Sequence, residues 1–541
     1  MFQSVIKKLK YWQHMNKAQR SQDGSDKPAP PPVLHRDLNK NLQSISQILG
    51  KSNDVKIHEM RFGRDGEYLG ALVFIDGLVN SDAITEGILK PLLSFRTLDE
   101  KPSGNPANAF EDIQRTVLCN ADMDVKETLS ELIADCLTGN TMLLMDGVAK
   151  GIMVSTKGWE KRGVSEPQTE SVIRGPREGF TENLRTNTAL IRRKIKSPQL
   201  RMDHVIVGRK TLTDVCIIYL DHVADPKVID EIKRRLEGPQ VDSVLDAGYI
   251  EQYMEDAPFS LFATIGYTEK PDVAAAKVLE GRVAIVTDGS PFVLTAPMLF
   301  IESFQTSEDY YIRPFFAAFA RLLRYFAFIL TVYAPAIYIA LTTYHQEFIP
   351  TTLLLTIAKA REGTPFPAFL EALIMVFSFE ILREAGLRLP RPVGQAISIV
   401  GALIMGDAAV SAGLVGAPLV ITVAMTAVTG FLVPMQSDVA SLLRLISMTL
   451  AAVLGGYGIA MGLIATLVYL AALKSFGVPY FESFALSRDL QDTLIRMPLW
   501  FMTKRPKDIA QNDTTRRRFF IPPMRPHDEE GKEPEPGGGE E

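Results

Sequence analysis

Residues 445–473 read LISMTLAAVLGGYGIAMGLIATLVYLAAL and contain no Lys, Arg, Asp or Glu. A helix needs about 20 apolar residues to cross the hydrocarbon core of a bilayer, and this run exceeds that length. Two other uncharged runs, 393–406 and 408–437, come before it. A buried helix of a soluble protein is the alternative, but such a helix rarely keeps so long a run free of charge. The sequence therefore predicts membrane-spanning helices in this region.

The composition of the whole chain indicates that these helices form only a part of the protein. Mean hydropathy is +0.07, far below that of a transporter that lies mostly in lipid. Apolar residues concentrate after Tyr325. We therefore expect an α/β cytoplasmic region of two subdomains, followed by an all-α helical transmembrane domain. The net charge of −5 argues against nucleic acid as a partner.

The expected domain boundaries follow changes in composition and periodicity. A basic N-terminal segment with a disordered linker (1–50) comes first. After it we expect a first α/β subdomain (51–170), a linker helix (171–197) and a second α/β subdomain (198–307). The membrane domain covers 308–485, with spans near 325–344, 393–415, 418–436 and 445–473 and an amphipathic helix at 366–383. Residues 486–541 form a cytoplasmic tail that is disordered at its end.

Two β-hairpins are expected in the first subdomain. Residues 55–62 and 68–75 flank a glycine turn, and residues 142–145 and 151–155 flank Asp146-Gly147. A helix is expected over 125–138, where Gly139-Asn140 ends the helical pattern.

Basic residues at both ends of the membrane domain determine the expected orientation. The N-terminus lacks the apolar core and the cleavage site of a signal peptide. Arg321 and Arg324 come before the first expected span, and residues 516–518, all Arg, follow the last one. Positive residues remain on the side of synthesis. We therefore expect a multi-pass protein of the cell membrane with both termini in the cytoplasm.

The sequence contains no recognisable catalytic or metal-binding constellation. No nucleophile lies at a suitable spacing from a base, and the phosphate-binding patterns GxxxxGK[ST] and GxGxxG are absent. Cys119, Cys136 and Cys216 are far apart, and His204 and His222 have no companions at ligand spacing. We therefore expect no enzyme activity, no catalytic or metal-binding residues and no cofactor.

A basic stretch, SVIRGPREGFTENLRTNTALIRRKIKS, occupies residues 171–197. Thr181 is placed to cap a helix that has one apolar face. Pro176 and its neighbouring glycines imply a specified loop geometry, which favours contact with another subunit. The residues expected to make this contact are Arg174, Arg177, Glu178 and Arg185. A solvated linker helix is the alternative interpretation.

The segment 366–383 is apolar but carries two acids, Glu371 and Glu380. We expect an amphipathic helix that lies at the interface or is partly buried, with these residues as intramembrane or interfacial acids. One alternative is a span whose acids face a wet interior. Another is simple pairing with the arginines that follow in the sequence.

Residues 393–415 are rich in Gly, Ala and Ser. Small residues let helices pack closely, or they line a narrow water path. Asp407 is the one acid in this segment, and an acid within a membrane is a candidate functional residue. The alternative is that Gly406 ends one short helix and Asp407 caps the next, over 409–413. Both interpretations predict a broken helix.

Three long stretches carry a family resemblance: DYYIRPFFAAFARLLRYFAF (309–328), REGTPFPAFLEALIMVFSFEILREAGLRLPRPVGQAISIVGALIMGDAAVSAGLV (361–415) and VIRGPREGFTENLRTNTALIRRKI (172–195). They resemble the GerA family of spore germination proteins, specifically the A subunit of nutrient germinant receptors. The resemblance implies a location in the spore inner membrane, a transporter-like B subunit and a lipoprotein C subunit as partners, and contact with membrane lipid. It also implies a homo-oligomeric ring that forms a nutrient-gated ion channel.

Given that resemblance, the small-residue segment is the expected lining of the pore, because small side chains suit a narrow gate. The residues concerned are Val400, Gly401, Leu403, Gly406, Asp407 and Ser411. One alternative is a non-conducting scaffold or signalling subunit that couples the B and C subunits, with the same small residues used for dry packing. Another is a paralogue that serves the dipicolinate channel.

Overall fold

The protein is described by a computed structural model over residues 34–50, 52–63, 66–94, 106–117, 123–158, 166–167, 169–170, 172–238, 241–388, 404–481, 492–493, 495–502, 504–506, 509–510, 513 and 515–516. The chain divides into two compact units. One comprises Met1–Lys161 and Ile195–Arg201, and the other comprises Arg162–Lys194 and Met202–Glu541.

The first unit contains a five-stranded antiparallel sheet. Its strand order is β1-β2-β4-β5-β3, with β1 Val55–Phe62, β2 Tyr68–Ile75, β3 Met123–Lys126, β4 Asn140–Met145 and β5 Gly151–Ser155. The helices are α1 Leu38–Leu49, α2 (Ser81–Ile84 and Lys90–Leu93, joined by π-helical Thr85–Leu89), α3 Pro106–Asp112 and α4 Leu129–Cys136.

The strands of both expected hairpins are present, but the expected helix over 125–138 is shorter. Residues Met123–Lys126 instead pair with β5 and complete one edge of the sheet. Leu129, Leu132 and Ile133 share the buried face of α4. Hydrogen bonds to a neighbouring strand therefore outweigh the helical pattern at the start of this segment.

The second unit contains another five-stranded sheet, in the order β6-β7-β9-β10-β8. Its strands are β6 Leu200–Val207, β7 Thr213–Leu220, β8 Gly266–Thr268, β9 Val283–Thr287 and β10 Val293–Ala296. The helices are α5 Leu184–Lys194, α6 Pro226–Glu237, α7 Ala247–Met254 and α8 Pro271–Leu279. The amphipathic face of α6 packs with β7 and β9 in one apolar core, because Val228, Ile229 and Ile232 recur at helical spacing.

The basic stretch 171–197 is helical only over α5. Thr181, the expected cap, instead donates its backbone N–H to the side chain of Asn187 (2.8 Å). The side chain of Asn183 accepts the N–H of Thr186 (3.0 Å) and so caps the first turn. Arg192 is buried, although the sequence suggested a solvent-facing arginine.

The second unit continues into a set of apolar helices. They are α9 Pro314–Thr343, α10 Thr351–Arg361, α11 Ala368–Arg388, α12 at 404–411, α13 Ala417–Gly430 and α14 Ser437–Ala472. A short two-stranded sheet, β11 Lys474–Ser475 with β12 Val478–Pro479, follows. Among the described residues, two helices, Pro314–Thr343 and Pro434–Ala472, are long and apolar enough to cross a membrane.

Helix α14 is not the single straight helix that we expected over 445–473. Its backbone leaves helical geometry at Gly455, where φ is 59° and ψ is −139°. Beyond this point the chain runs back, because Leu470 and Leu473 pack in the same core as Val439 and Leu443. The 36-residue helix is therefore a helical hairpin. At about 1.5 Å per residue, each half is roughly 27 Å long, close to the thickness of a bilayer core.

The glycines of the hairpin explain how its halves approach so closely. A Cβ added at Gly458 would lie 2.2 Å from the carbonyl oxygen of Leu450, and one at Gly462 would lie 2.9 Å from the Leu450 side chain. The Gly-xxx-Gly spacing thus brings together two segments of one chain.

Helix α11 also differs from the amphipathic helix expected at 366–383. Ala372, Met375 and Val376 are buried in a core with Ile339 of α9 and Leu419 of α13. The small residues Ala368 and Ala372 are both fully covered. Because these residues recur at helical spacing, α11 packs inside the helical region rather than on its surface.

Candidate functional site

The candidate site is helix α12, the described part of the small-residue segment. Gly406 is buried, and a Cβ added to it would lie 3.2 Å from the Val420 side chain of α13. Asp407 and Ser411 are both exposed. They are one helical turn apart and therefore share a face. One face of α12 thus packs on α13, and another carries a carboxylate and a hydroxyl away from the protein.

Asp407 is not the helix cap that the sequence also allowed. The helix runs through it without a break, from 404 to 411. The break comes later, at Gly413, where φ is 67°. No described residue forms an ion pair or a hydrogen bond with the Asp407 carboxylate. An acid in an apolar helix without a partner in its own chain is the pattern of a residue that faces water or a neighbouring molecule.

The chain after α12 is held by Glu371, which is fully buried. One oxygen of its carboxylate accepts the backbone N–H of Gly416 (3.4 Å), the first residue before α13. The other oxygen accepts the Thr364 hydroxyl (3.0 Å) and pairs with Arg361 (3.3 Å). Glu371 therefore joins α10 and α11 to the loop between α12 and α13.

Glu380 pairs across the helices at the other end of α11. Its carboxylate contacts the guanidinium of Arg444 on α14, whose side chain is 3% exposed, and also that of Arg383 (2.8 Å). The Ser441 hydroxyl donates to the same carboxylate (3.1 Å). Both acids of α11 are thus neutralised within the protein. The partners Arg361 and Arg444 lie far away in sequence, so sequence reasoning alone did not identify them.

The remaining residues expected to line a pore, Val400, Gly401 and Leu403, lie outside the described residues.

The residues expected to contact another subunit have different surroundings. Glu178 pairs with Arg193 (3.6 Å) and Lys194 (3.4 Å) of its own chain. Arg177 contacts Glu166 (3.3 Å), with both side chains exposed. Arg174 is exposed and Arg185 is half-buried. The structure therefore does not bring these four residues together into one cluster.

A buried ionic cluster at the start of α9 was not identified from the sequence. Asp309 and Arg321 are both fully buried and lie 3.2 Å apart, and Arg324 contacts the other oxygen of Asp309 (2.6 Å). Arg321 also pairs with Asp492 (3.1 Å). Burial raises the pKa of the Asp309 carboxyl, but the hydrogen bond and charge of Arg324 outweigh burial and lower it. The cluster joins the residues before α9 to the chain after α14.

A cavity of about 610 Å³ lies beside this cluster, between α8 and the loop after α13. Its charged residues are paired with one another: Glu302 with Lys277 (2.8 Å) and Arg282 (2.6 Å), and Glu280 with Arg516 (2.7 Å). Burial raises the pKa of Glu302, but the charges of Arg282 and Lys277 outweigh it and lower the pKa to about 2. This charge balance does not favour one class of ligand.

Over the described residues, no three His, Cys, Asp or Glu side chains are grouped closely enough to hold a metal ion.

Comparisons with known proteins agree with this architecture. The family model described as Bacillus/Clostridium GerA spore germination protein matches residues 43–508. Spore germination protein KA of Bacillus subtilis (strain 168) is 43% identical over 491 residues, which cover 90% of this chain and 89% of that protein. YfkQ, an uncharacterized membrane protein of the same organism, is 42% identical over 489 residues, which cover 90% of this chain and 93% of that protein.

One solved structure is also similar, the N-terminal domain of the A subunit of the Bacillus megaterium spore germinant receptor GerK3. It is 33% identical, with a TM-score of 0.40, and the match covers 50% of this chain and 99% of that chain. The family match spans most of the sequence, including the α/β sheets, the buried ionic cluster and the helical region. The chain therefore belongs to the GerA family of spore germination proteins.

Proposed function

We propose that this protein is the A subunit of a spore germinant receptor and that copies of it form a nutrient-gated ion channel in the spore inner membrane. Its partners would be a transporter-like B subunit and a lipoprotein C subunit. Membership of the GerA family supports the receptor role. The unpartnered carboxylate of Asp407 on the exposed face of α12 is the observation that carries the channel role.

The packing of the helices supports a multi-pass arrangement. Tyr344, after the end of α9, contacts α14 at its turn, whereas Arg321, near the start of α9, contacts the residues after α14. Helices α11 and α13 run opposite to α9, because Leu419 packs near Ile339 and Thr429 bonds Thr331 nearer the start of α9. We place the crossings at α9, α11, α12, α13 and both halves of α14. An even number of crossings leaves both termini in the cytoplasm.

In this arrangement, α12 supplies the lining of the pore. Asp407 and Ser411 face a central path in a ring of subunits, while Gly406 packs on α13 within its own subunit. A ring of carboxylates attracts cations into a path of low dielectric constant. Val400, Gly401 and Leu403 would form the narrow part on the side of the chain that enters α12. Arg174 and Arg185 are the candidates for contact between subunits.

The channel is tested by removing bulk from the proposed narrow part. Val400→Ala and Leu403→Ala should cause spontaneous release of cations from spores that carry the variant as their germinant receptor, because the gate no longer closes. Leu463→Ala is the matched control, since Leu463 is exposed on α14 rather than on α12. Normal abundance of both variants with no release of ions would contradict the pore assignment.

A non-conducting scaffold is the second candidate, and the burial of Gly406 against Val420 favours it. In a scaffold, small residues serve close helix packing only. Val400→Ala and Leu403→Ala would then lower the abundance of the protein without any release of ions. The same spores therefore distinguish the two functions.

A further inference from the structure

The turn of the α14 hairpin leaves backbone groups without their helical partners. At Gly455 the chain reverses, so the carbonyls just before it and the N–H groups just after it cannot bond within one helix. Inside a membrane protein such groups need another partner, because an unpaired backbone group in an apolar environment costs several kcal/mol.

Two neighbouring residues at the end of α9 supply these partners. The Tyr344 hydroxyl donates to the carbonyl oxygens of Ala452 (2.7 Å) and Val453 (3.1 Å). The backbone N–H of Gly456 donates to Nε2 of His345 (3.1 Å). One side of the break is thus satisfied by a phenol donor, and the other by an imidazole acceptor.

The glycines at the turn make this contact possible. A Cβ added at Gly455 would lie 2.9 Å from the Tyr344 side chain, and one added at Gly456 would lie 3.0 Å from Nε2 of His345. Any larger residue at either position would push the two side chains away from the backbone. The turn and the Tyr-His pair are therefore fitted to each other.

The identity of the donor makes one bond dependent on protonation. A backbone N–H can only donate, so Nε2 of His345 must carry a lone pair and no proton. When the imidazole is protonated, both ring nitrogens become donors, and Nε2–H then faces another N–H. Histidine is the side chain that undergoes this change between pH 5 and 8.

The surroundings of His345 contain few charges. No ion pair joins it to a residue in the described ranges. On its own turn, Glu347 is exposed and the ring of Phe348 lies 6.0 Å away. On α14, the nearest titratable side chain in the sequence is Tyr457, which is also exposed.

We propose that Tyr344 and His345 form a proton-sensitive latch that holds the turn of the α14 hairpin closed when His345 is neutral and releases it when His345 is protonated. The latch lies at the end of α9 opposite to the ionic cluster of Arg321 and Asp309, so in the arrangement proposed above it faces the outside of the membrane. The inference goes beyond the channel function and does not depend on conduction.

The test uses the full chain in lipid nanodiscs and measures hydrogen exchange of the amides in residues 452–460 between pH 8 and pH 5. Rates are corrected for the intrinsic pH dependence of exchange. In the wild type we expect protection to fall about tenfold as the pH is lowered, the size of effect that the loss of one hydrogen bond produces. Amides in residues 327–333 of α9 serve as an internal control that should not change.

Two variants separate the latch from a general effect of pH. His345→Gln keeps an acceptor oxygen that does not titrate, so protection should be retained and independent of pH. Tyr344→Phe should lower protection at every pH but keep the pH dependence. A wild type with constant protection from pH 8 to pH 5 would overturn the proposal. So would the same pH profile in the wild type and in His345→Gln.

Discussion

At the scale of single residues, the pair of Arg444 and Glu380 gives the sharpest energetic prediction. The Arg444 side chain is almost completely buried, so loss of its partner leaves a charge with little access to water. We expect Glu380→Gln to lower the free energy of unfolding by about 3 kcal/mol. The double variant Glu380→Gln/Arg444→Met should recover most of this loss, because both charges are then removed. Thermal unfolding in nanodiscs measures both changes.

The matched control is the exposed pair of Arg388 and Glu384 on the same helix. Glu384→Gln should change stability by less than about 0.5 kcal/mol, since exposed ion pairs contribute little. Equal effects of Glu380→Gln and Glu384→Gln would show that the burial of Arg444 has no energetic consequence.

Glu251 on α7 gives a prediction that depends on pH. Burial, together with the charges of Glu255 and Asp246, raises the pKa of its carboxyl to about 7. A carboxyl with a raised folded-state pKa favours the folded state below the unfolded pKa, and this advantage is lost as the pH rises towards the folded pKa. Glu251→Gln should therefore raise stability at pH 8 by about 1–3 kcal/mol and have little effect near pH 4.

Thermal unfolding at pH 4, 6 and 8 checks this prediction. Glu237→Gln, an exposed acid at the end of α6, is the control and should change stability by less than about 0.5 kcal/mol at each pH. A Glu251→Gln variant whose effect does not grow from pH 4 to pH 8 would contradict the raised pKa.

Sequence reasoning at this scale identified single residues better than pairs of residues. Asp407 was found because it interrupts two uncharged runs, which is a local signal. The partners of Glu371 and Glu380 were not found, because Arg361 and Arg444 lie on other helices and only tertiary packing brings them close. The cluster of Asp309, Arg321 and Asp492 was missed for the same reason.

At the scale of elements, the hairpin of α14 depends on the absence of side chains at its glycines. A Cβ at Gly458 would overlap the carbonyl oxygen of Leu450, and a backbone atom cannot move aside as a flexible side chain does. We expect Gly458→Ala to lower the free energy of unfolding by about 1–3 kcal/mol or more. Gly363→Ala is the control, because no atom lies within 4 Å of the added Cβ. Thermal unfolding that is equally affected by the two substitutions would contradict the close approach.

Local and nonlocal information account for what could be predicted about the elements. The strands at 55–62 and 68–75 were predicted correctly, since a glycine turn and alternating residues specify a hairpin locally. The reversal in α14 was not predicted, because an apolar run of this length resembles one long span. The adjacent glycines Gly455 and Gly456 were the signal that could have indicated it.

At the scale of the whole molecule, each unit has a role that follows from its own structure. Both units contain an antiparallel sheet with helices, and the second unit continues into the apolar helices. Within the second unit, the cluster of Asp309, Arg321 and Asp492 connects the end of the α/β region, the first apolar helix and the chain that follows the last one. Movements of the sheet in this unit are therefore positioned to reach the helices directly.

The division of the chain into a polar part and an apolar part was clear from hydropathy, and the family resemblance is confirmed by the match over residues 43–508. The face of α12 that is exposed could not be predicted in the same way. Gly406 and Asp407 are adjacent in sequence, yet one is buried against α13 and the other is exposed. Only the packing of neighbouring helices determines which residues of such a segment are accessible.

The central proposal is that rings of this chain conduct ions past Asp407, and planar-bilayer recording from the purified full-length protein tests it most directly. We expect cation-selective currents from the wild type and a clear loss of cation preference in Asp407→Asn, because the ring of carboxylates is removed. Asp438→Asn, an exposed acid at the start of α14, is the control and should keep the selectivity of the wild type. Absence of current from a correctly folded, oligomeric wild type, or unchanged selectivity in Asp407→Asn, would contradict the proposal.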